Sequence, residues 1–115
     1  MNYVGVDIGG KNIKMGIVDD FGRVLSSMSY KTEQERGYDA VLLEIISNIG
    51  VLCEQAGIYT DDISGIGIGV PGICNSRAGL VMSCSTLNWK GVELAGDVTN
   101  LTGKPCKVCN DANCA

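Results

Sequence analysis

Two aspartates beside glycine- or asparagine-rich turns are the residues of this chain best equipped for chemistry. The first stands in Asp7-Ile8-Gly9-Gly10-Lys11-Asn12, between two apolar runs. Gly9 and Gly10 carry no Cβ and can take positive φ, so the backbone can turn tightly and leave N–H groups open to an anion. Asp7 would repel a bare phosphate, but it can help hold Mg²⁺, directly or through water, that neutralises one. A hairpin whose aspartate only hydrogen-bonds its own turn accounts for the same residues. The second aspartate, Asp111, lies in Asn110-Asp111-Ala112-Asn113, just after the strand-like Cys106-Lys107-Val108-Cys109. Ligands of open α/β sheets bind outside the carboxyl ends of the strands. Asp111 is therefore either a catalytic carboxylate or the N-cap of a helix that begins there.

The elements that must carry these residues follow from the hydrophobic period. Tyr3-Val4-Gly5-Val6 reads as a buried strand, Ile13, Met15 and Ile17 alternate in a second, and Val24, Ser26, Met28 and Tyr30 alternate in a third after the turn cluster Asp19-Asp20-Phe21-Gly22. A three-strand meander is expected. Lys31 to Arg36 is polar and charged and reads as a solvated connection. From Gly37 the period changes, and Val41, Leu42, Ile45, Ile46, Ile49, Leu52, Cys53 and Ala56 give the apolar stripe of a helix that Gly57 can close.

Ile63 to Pro71 then places Ile66, Ile68 and Val70 on one face of a strand and Gly65, Gly67 and Gly69 on the other, leaving that face nearly bare backbone. Short strands and loops follow up to Trp89. Lys90 to Leu101 reads as a second helix stopped by Gly103-Lys104-Pro105. Gly67-Ile68-Gly69-Val70-Pro71-Gly72 has the form G-x-G-x-x-G, with Glu93 downstream, but the residues after it lack a helical period. A dinucleotide fingerprint must open a helix, so that reading fails.

At 115 residues, with 45% hydrophobic and 19% charged side chains, the chain suits one α/β unit with one core. A net charge of −4 and no run of Lys or Arg argue against a nucleic-acid surface or an acidic membrane surface. No apolar run reaches the length of a membrane span and no secretion leader precedes the first strand, so a cytoplasmic protein is expected. The six cysteines (Cys53, Cys74, Cys84, Cys106, Cys109 and Cys114) are read as reduced and metal-free. Cys106 and Cys109 match C-x-x-C, yet on a strand they point to opposite faces, and no histidine completes a zinc set.

Taken together, Val4-Gly5-Val6-Asp7-Ile8-Gly9-Gly10 with Asn12-Ile13-Lys14, Gly67 to Gly72, Leu87-Asn88-Trp89 and Asn110-Asp111-Ala112-Asn113 closely resemble the ROK (repressor, open reading frame, kinase) family of sugar kinases. The resemblance runs from the first strand to the last residue and rests on the joint occurrence of the blocks. It implies an α/β, actin-like (ribonuclease H-like) fold, whose mixed sheet has an antiparallel three-strand meander followed by parallel strands and flanking helices. Residues 1–115 are then the amino-terminal lobe of a two-lobe kinase, the second lobe being absent from this chain. Ala115 falls where a helix should start, so a fragment is expected.

The same resemblance implies transfer of the γ-phosphoryl group of ATP, with Mg²⁺, to a hexose or N-acylhexosamine. Asp7, Gly9, Gly10, Lys11 and Asn12 would form the phosphate loop, with Asp7 toward the metal. Gly72, Thr86, Asn110 and Asp111 would meet the sugar, and Asp111 would be the catalytic base. The family usually has threonine where Lys11 stands and asparagine where Thr86 stands, which touches a phosphate contact and sugar preference respectively. Any zinc site would lie in the missing second half. The implied partners are a hexose or N-acylhexosamine, with no nucleic acid and no membrane, and a homo-oligomer is open to the full-length protein. Two alternatives remain: a ROK sugar-sensing transcriptional regulator, which carries a DNA-binding domain ahead of the first strand, and a non-catalytic sugar-binding protein.

Overall fold

The computed structural model describes residues 1–111. Three strands, β1 (Asn2–Ile8), β2 (Asn12–Asp19) and β3 (Val24–Lys31), form the expected antiparallel meander. Their alternation decides the outcome: Val4, Val6, Ile8, Ile13, Met15 and Ile17 all point into the core. The β2–β3 turn is fixed by Asp19, whose Oδ1 accepts the N–H groups of Phe21 (2.9 Å) and Arg23 (3.0 Å).

Helix α1 (Tyr38–Ala56) buries Val41, Leu42, Ile45, Ile49, Leu52 and Cys53. It ends as the sequence suggests, with Gly57 left-handed at φ 73. Gly57 N–H donates to Glu54 O (3.2 Å) and Ile58 N–H to Cys53 O (3.0 Å), the paired bonds of a Schellman motif. Then come β4 (Ile63–Val70), β5 (Ile73–Asn75), β6 (Leu80–Cys84), β7 (Trp89–Val92), helix α2 (Leu94–Thr102) and β8 (Cys106–Asn110). The main sheet has the order β3-β2-β1-β4-β8, with β1, β4 and β8 mutually parallel, and β5-β6-β7 form a small antiparallel sheet.

Helices α1 and α2 pack against each other, α1 on β2 and β3 and α2 on β8, and their buried side chains join the strands' aliphatic face in one core. On the opposite face the middle of the sheet carries glycines. Register sets Gly16, Gly5 and Gly67 abreast on three strands, followed by Lys107 on the fourth. A Cβ added at Gly5 or Gly67 would meet no atom within 4 Å.

Three expectations change. The second helix begins at Leu94 rather than Lys90, because Trp89–Val92 pairs with β6 and Gly91 is left-handed at φ 63, which a helix does not accommodate. The segment from Lys31 to Arg36 is not merely solvated: Thr32 is fully buried. The cysteines are not all reduced: Cys53, Cys74, Cys84 and Cys106 are free thiols, whereas Cys109 is in a disulfide. Cys114, Ala112, Asn113 and the helix expected to start at Ala115 lie outside the described residues. Among the described residues no helix is long and apolar enough to cross a membrane.

Candidate functional site

Parallel strands deliver their carboxyl ends to one edge of the sheet, and the predicted residues gather there. Asp7 is paired with Gly69, Gly69 with Cys109 and Val70 with Asn110, so the ends of β1, β4 and β8 lie level. Asp111 continues this ladder by donating its N–H to Val70 O at 2.9 Å. Asp7 and Asp111 line one cavity of about 590 Å³ on the glycine face, together with Lys107, Gly67 and Gly69. The bare face is what opens it, since side chains at Gly5, Gly67 and Gly69 would fill the floor.

The Gly9–Asn12 turn differs from its sequence reading. Neither Gly9 nor Gly10 is in the left-handed region. They are needed for space instead. A Cβ on Gly9 would lie 2.8 Å from Asn12 O, and one on Gly10 would lie 2.3 Å from the Thr86 methyl carbon. The Gly9 N–H donates to Asn12 O at 2.9 Å and is closed to an anion. Among the described residues no protein acceptor takes the Gly10 or Lys11 N–H. Gly10, Lys11 and Asn12 line a second cavity of about 380 Å³ with Lys31, Glu33 and Glu35, so cations and carboxylates share its wall.

Thr86 thus touches the glycine turn across a long sequence separation. It is the exposed tip of a loop anchored by buried Leu87 and Trp89, with Asn88 left-handed at φ 57 between them. Tyr38 braces Trp89 edge-on at a ring-centroid distance of 5.0 Å, and its hydroxyl donates to Asp97 Oδ2 at 2.6 Å. Burial, with Asp97 beside it, pushes the Tyr38 phenol well above its ordinary range, so it stays a neutral donor. Asn110 donates through Nδ2 to Gly72 O at 2.7 Å. Gly72 is itself confined, because a Cβ there would lie 2.5 Å from Ser83 O.

The residues predicted for the site are therefore brought together as two carboxylates in one cavity, a glycine turn in contact with Thr86, and Asn110 bonded to Gly72. Among the described residues no cluster of three metal-ligating side chains forms. What sequence reasoning missed is Lys107, which lines the carboxylate cavity, and Thr32, whose place in a polar run gave no sign of burial.

A mixed sheet with a glycine-turn hairpin first, and carboxylates at the ends of its parallel strands, has the arrangement of the actin-like ATPase fold. The ROK family model matches residues 3–115, and the chain belongs to the ROK family. It is 28% identical over 113 residues to a glucokinase of Halalkalibacterium halodurans, covering 98% of this chain and 34% of that protein. It is 31% identical over 112 residues to an N-acetyl-D-glucosamine kinase of Yersinia pestis, covering 97% of this chain and 42% of that one. The crystal structure of a ROK family glucokinase from Streptomyces griseus, in complex with glucose and AMPPNP, superposes with a TM-score of 0.86 at 30% identity, covering 98% of this chain and 34% of that one. The chain thus spans between about a third and two fifths of the relatives it matches.

Proposed function

We propose that this chain is the amino-terminal, phosphate- and sugar-contacting lobe of an ATP-dependent kinase for a hexose or N-acylhexosamine. The observation that carries the reading is the meeting of Asp7 and Asp111 in one cavity at the carboxyl ends of parallel strands, next to a turn with unpaired N–H groups. Adjacent strands lie roughly 4.8 Å apart, so with β4 between them the two carboxylates stand on the order of 10 Å apart laterally. That separation leaves room for two reacting groups.

The donor set suits MgATP. Asp7 offers a hard oxygen, the ligand type Mg²⁺ prefers, while Gly10 N–H and the Lys11 ammonium suit phosphate oxygens. MgATP supplies the phosphoryl group that is transferred. Asp111 takes the proton of the attacking sugar hydroxyl, which is otherwise a poor nucleophile at neutral pH. Thr86 and Asn110 orient the sugar, Asn110 being held by Gly72. Phosphoryl transfer rests on positioning both substrates, and one lobe does not enclose them. This chain by itself is therefore expected to fold without catalysing.

The test is a coupled assay of MgATP-dependent phosphorylation across glucose, mannose, N-acetylglucosamine and N-acetylmannosamine. It uses the polypeptide that joins this chain to a ROK second lobe, with the chain alone as control. Transfer to at least one sugar by the longer polypeptide, and none by the chain alone, is the expected result. No transfer to any of the four would overturn the reading in favour of a non-catalytic sugar binder.

A further inference from the structure

Thr32 is the one buried polar residue among the described residues, with no exposed surface at all. Nothing in the reaction just described uses it. A buried hydroxyl is tolerated when it is hydrogen-bonded, and here the partner is informative. Thr32 Oγ1 donates to Gly9 O at 2.7 Å, and Thr32 N–H donates to Lys11 O at 2.9 Å. One residue at the end of β3 thus holds two carbonyl groups of the glycine turn.

The consequence follows from peptide geometry. In a planar trans peptide the C=O and the following N–H point in opposite directions. Fixing Gly9 O on the Thr32 hydroxyl therefore fixes Gly10 N–H away from Thr32. Fixing Lys11 O on Thr32 N–H likewise sets the direction of Asn12 N–H. The Gly9–Gly10 peptide needs such a hold, because neither residue has a Cβ to limit rotation of the plane between them. A flip would turn a carbonyl oxygen to where the N–H stands, and an oxygen repels phosphate.

Thr32 is braced in turn. Arg36 Nη2 donates to Thr32 O at 2.8 Å and to Glu44 Oε1 at 2.9 Å, and Arg36 Nε donates to Glu33 O at 3.2 Å. Glu44 lies on α1, so a continuous set of bonds runs from that helix through Arg36 and Thr32 to Gly9.

We propose that Thr32 is the positioning residue of the phosphate turn, locking the Gly9–Gly10 and Lys11–Asn12 peptide planes so that the Gly10 N–H is held ready for a phosphate oxygen. The phosphate role rests on the kinase reading; the locking of the turn does not. Two measurements keep them apart. In the 115-residue chain, backbone ¹⁵N relaxation and amide exchange are compared among wild type, Thr32→Val and Thr32→Ser. Valine keeps the shape and removes the hydroxyl, and serine restores it. The expected result in Thr32→Val is lower order at Gly10, Lys11 and Asn12 and faster exchange of the hydrogen-bonded amides of Gly9 and of position 32, with α1 amides unchanged and Thr32→Ser near wild type. An unaltered turn in Thr32→Val would overturn the proposal whatever the enzyme does.

In the longer polypeptide, Thr32→Val should lower kcat/KM for MgATP by roughly tenfold, the scale of one lost hydrogen bond, while KM for the sugar holds and Thr32→Ser recovers the loss. A loss shared equally by the sugar, or not recovered by serine, would show a merely structural residue and overturn the role. A wild-type polypeptide that transfers no phosphoryl group would overturn the kinase reading and the phosphate role together. The relaxation data would then still decide whether Thr32 holds the turn.

Discussion

The two faces of the main sheet use the same strands for opposite ends. On the helix side Val6, Ile66, Ile68 and Val108 are buried in a continuous aliphatic layer. On the other side their immediate sequence neighbours are Gly5, Asp7, Gly67 and Lys107, all exposed. The period of two in a strand makes this possible: stability is assigned to alternate residues, and those between are released to hold a floor of backbone and a few charged groups. Substitutions on the two faces should accordingly fail in different ways, one in chemistry and the other in folding.

The largest expected effect is chemical. Asp111→Asn keeps size and hydrogen-bonding capacity but removes the proposed base, so in the longer polypeptide kcat should fall by about 10²- to 10⁴-fold. Sugar affinity and melting temperature should change little. Turnover within a few-fold of wild type would show Asp111 to be structural, and the open face would lose its claim to the reaction.

Next in size is a pair of adjacent changes in β4 of the chain alone. Ile68→Ala empties a site that is 1% exposed, and should lower unfolding free energy by about 2–5 kcal/mol in urea melts. Gly67→Ala adds a methyl group where nothing lies within 4 Å, and removes a flexible residue from a strand interior. It should hold or raise stability, by up to about 1 kcal/mol. Equal destabilisation by the two would break the distinction between the faces.

The legibility of the molecule follows the same division. The helix-facing layer was readable because it obeys simple periods, of two in β1, β2 and β4 and of three or four in α1. The glycine floor was readable too, as the residues left over from Ile66, Ile68 and Val70. What escaped were relations between residues far apart in sequence: Thr86 on Gly10, Asn110 on Gly72, Thr32 on Gly9, and Lys107 lining the same cavity as Asp7. No local pattern encodes these. The role of Gly9 and Gly10 was misread for a related reason, since close approach by Asn12 O and Thr86, rather than positive φ, excludes a side chain there. The β7 strand was missed because Lys90 to Leu101 carries enough apolar residues to suggest a helix, while the pairing with β6 that overrides it is tertiary.

A smaller effect should come from the loop that meets the glycine turn. Thr86 presents one hydroxyl where an asparagine would present both a carbonyl and an NH₂ group. In the longer polypeptide, Thr86→Asn should shift relative kcat/KM among hexoses and N-acylhexosamines by roughly tenfold, one hydrogen bond's worth. An unchanged ranking across the panel would count against direct contact, and would confine sugar recognition to Asn110 and the other lobe.

The smallest effect concerns a titratable group on the helix-facing side. Cys106 neighbours Lys107 in β8 but points to the opposite face, and burial pushes its thiol up to about 11 from an ordinary 9.0. The fold therefore favours the protonated thiol more than the unfolded chain does. The sign follows: the associated stability is fully present below pH 9 and is lost as pH rises toward 11, because the unfolded chain releases the proton first. Cys106→Val removes the group while keeping an apolar side chain. Urea midpoints of both proteins, measured from pH 8 to pH 11, should show wild type declining more steeply than the variant over the upper part of that range. Parallel curves would mean that water reaches the thiol, and that the layer between α2 and β8 is less closed than its buried Val108 and Val98 indicate.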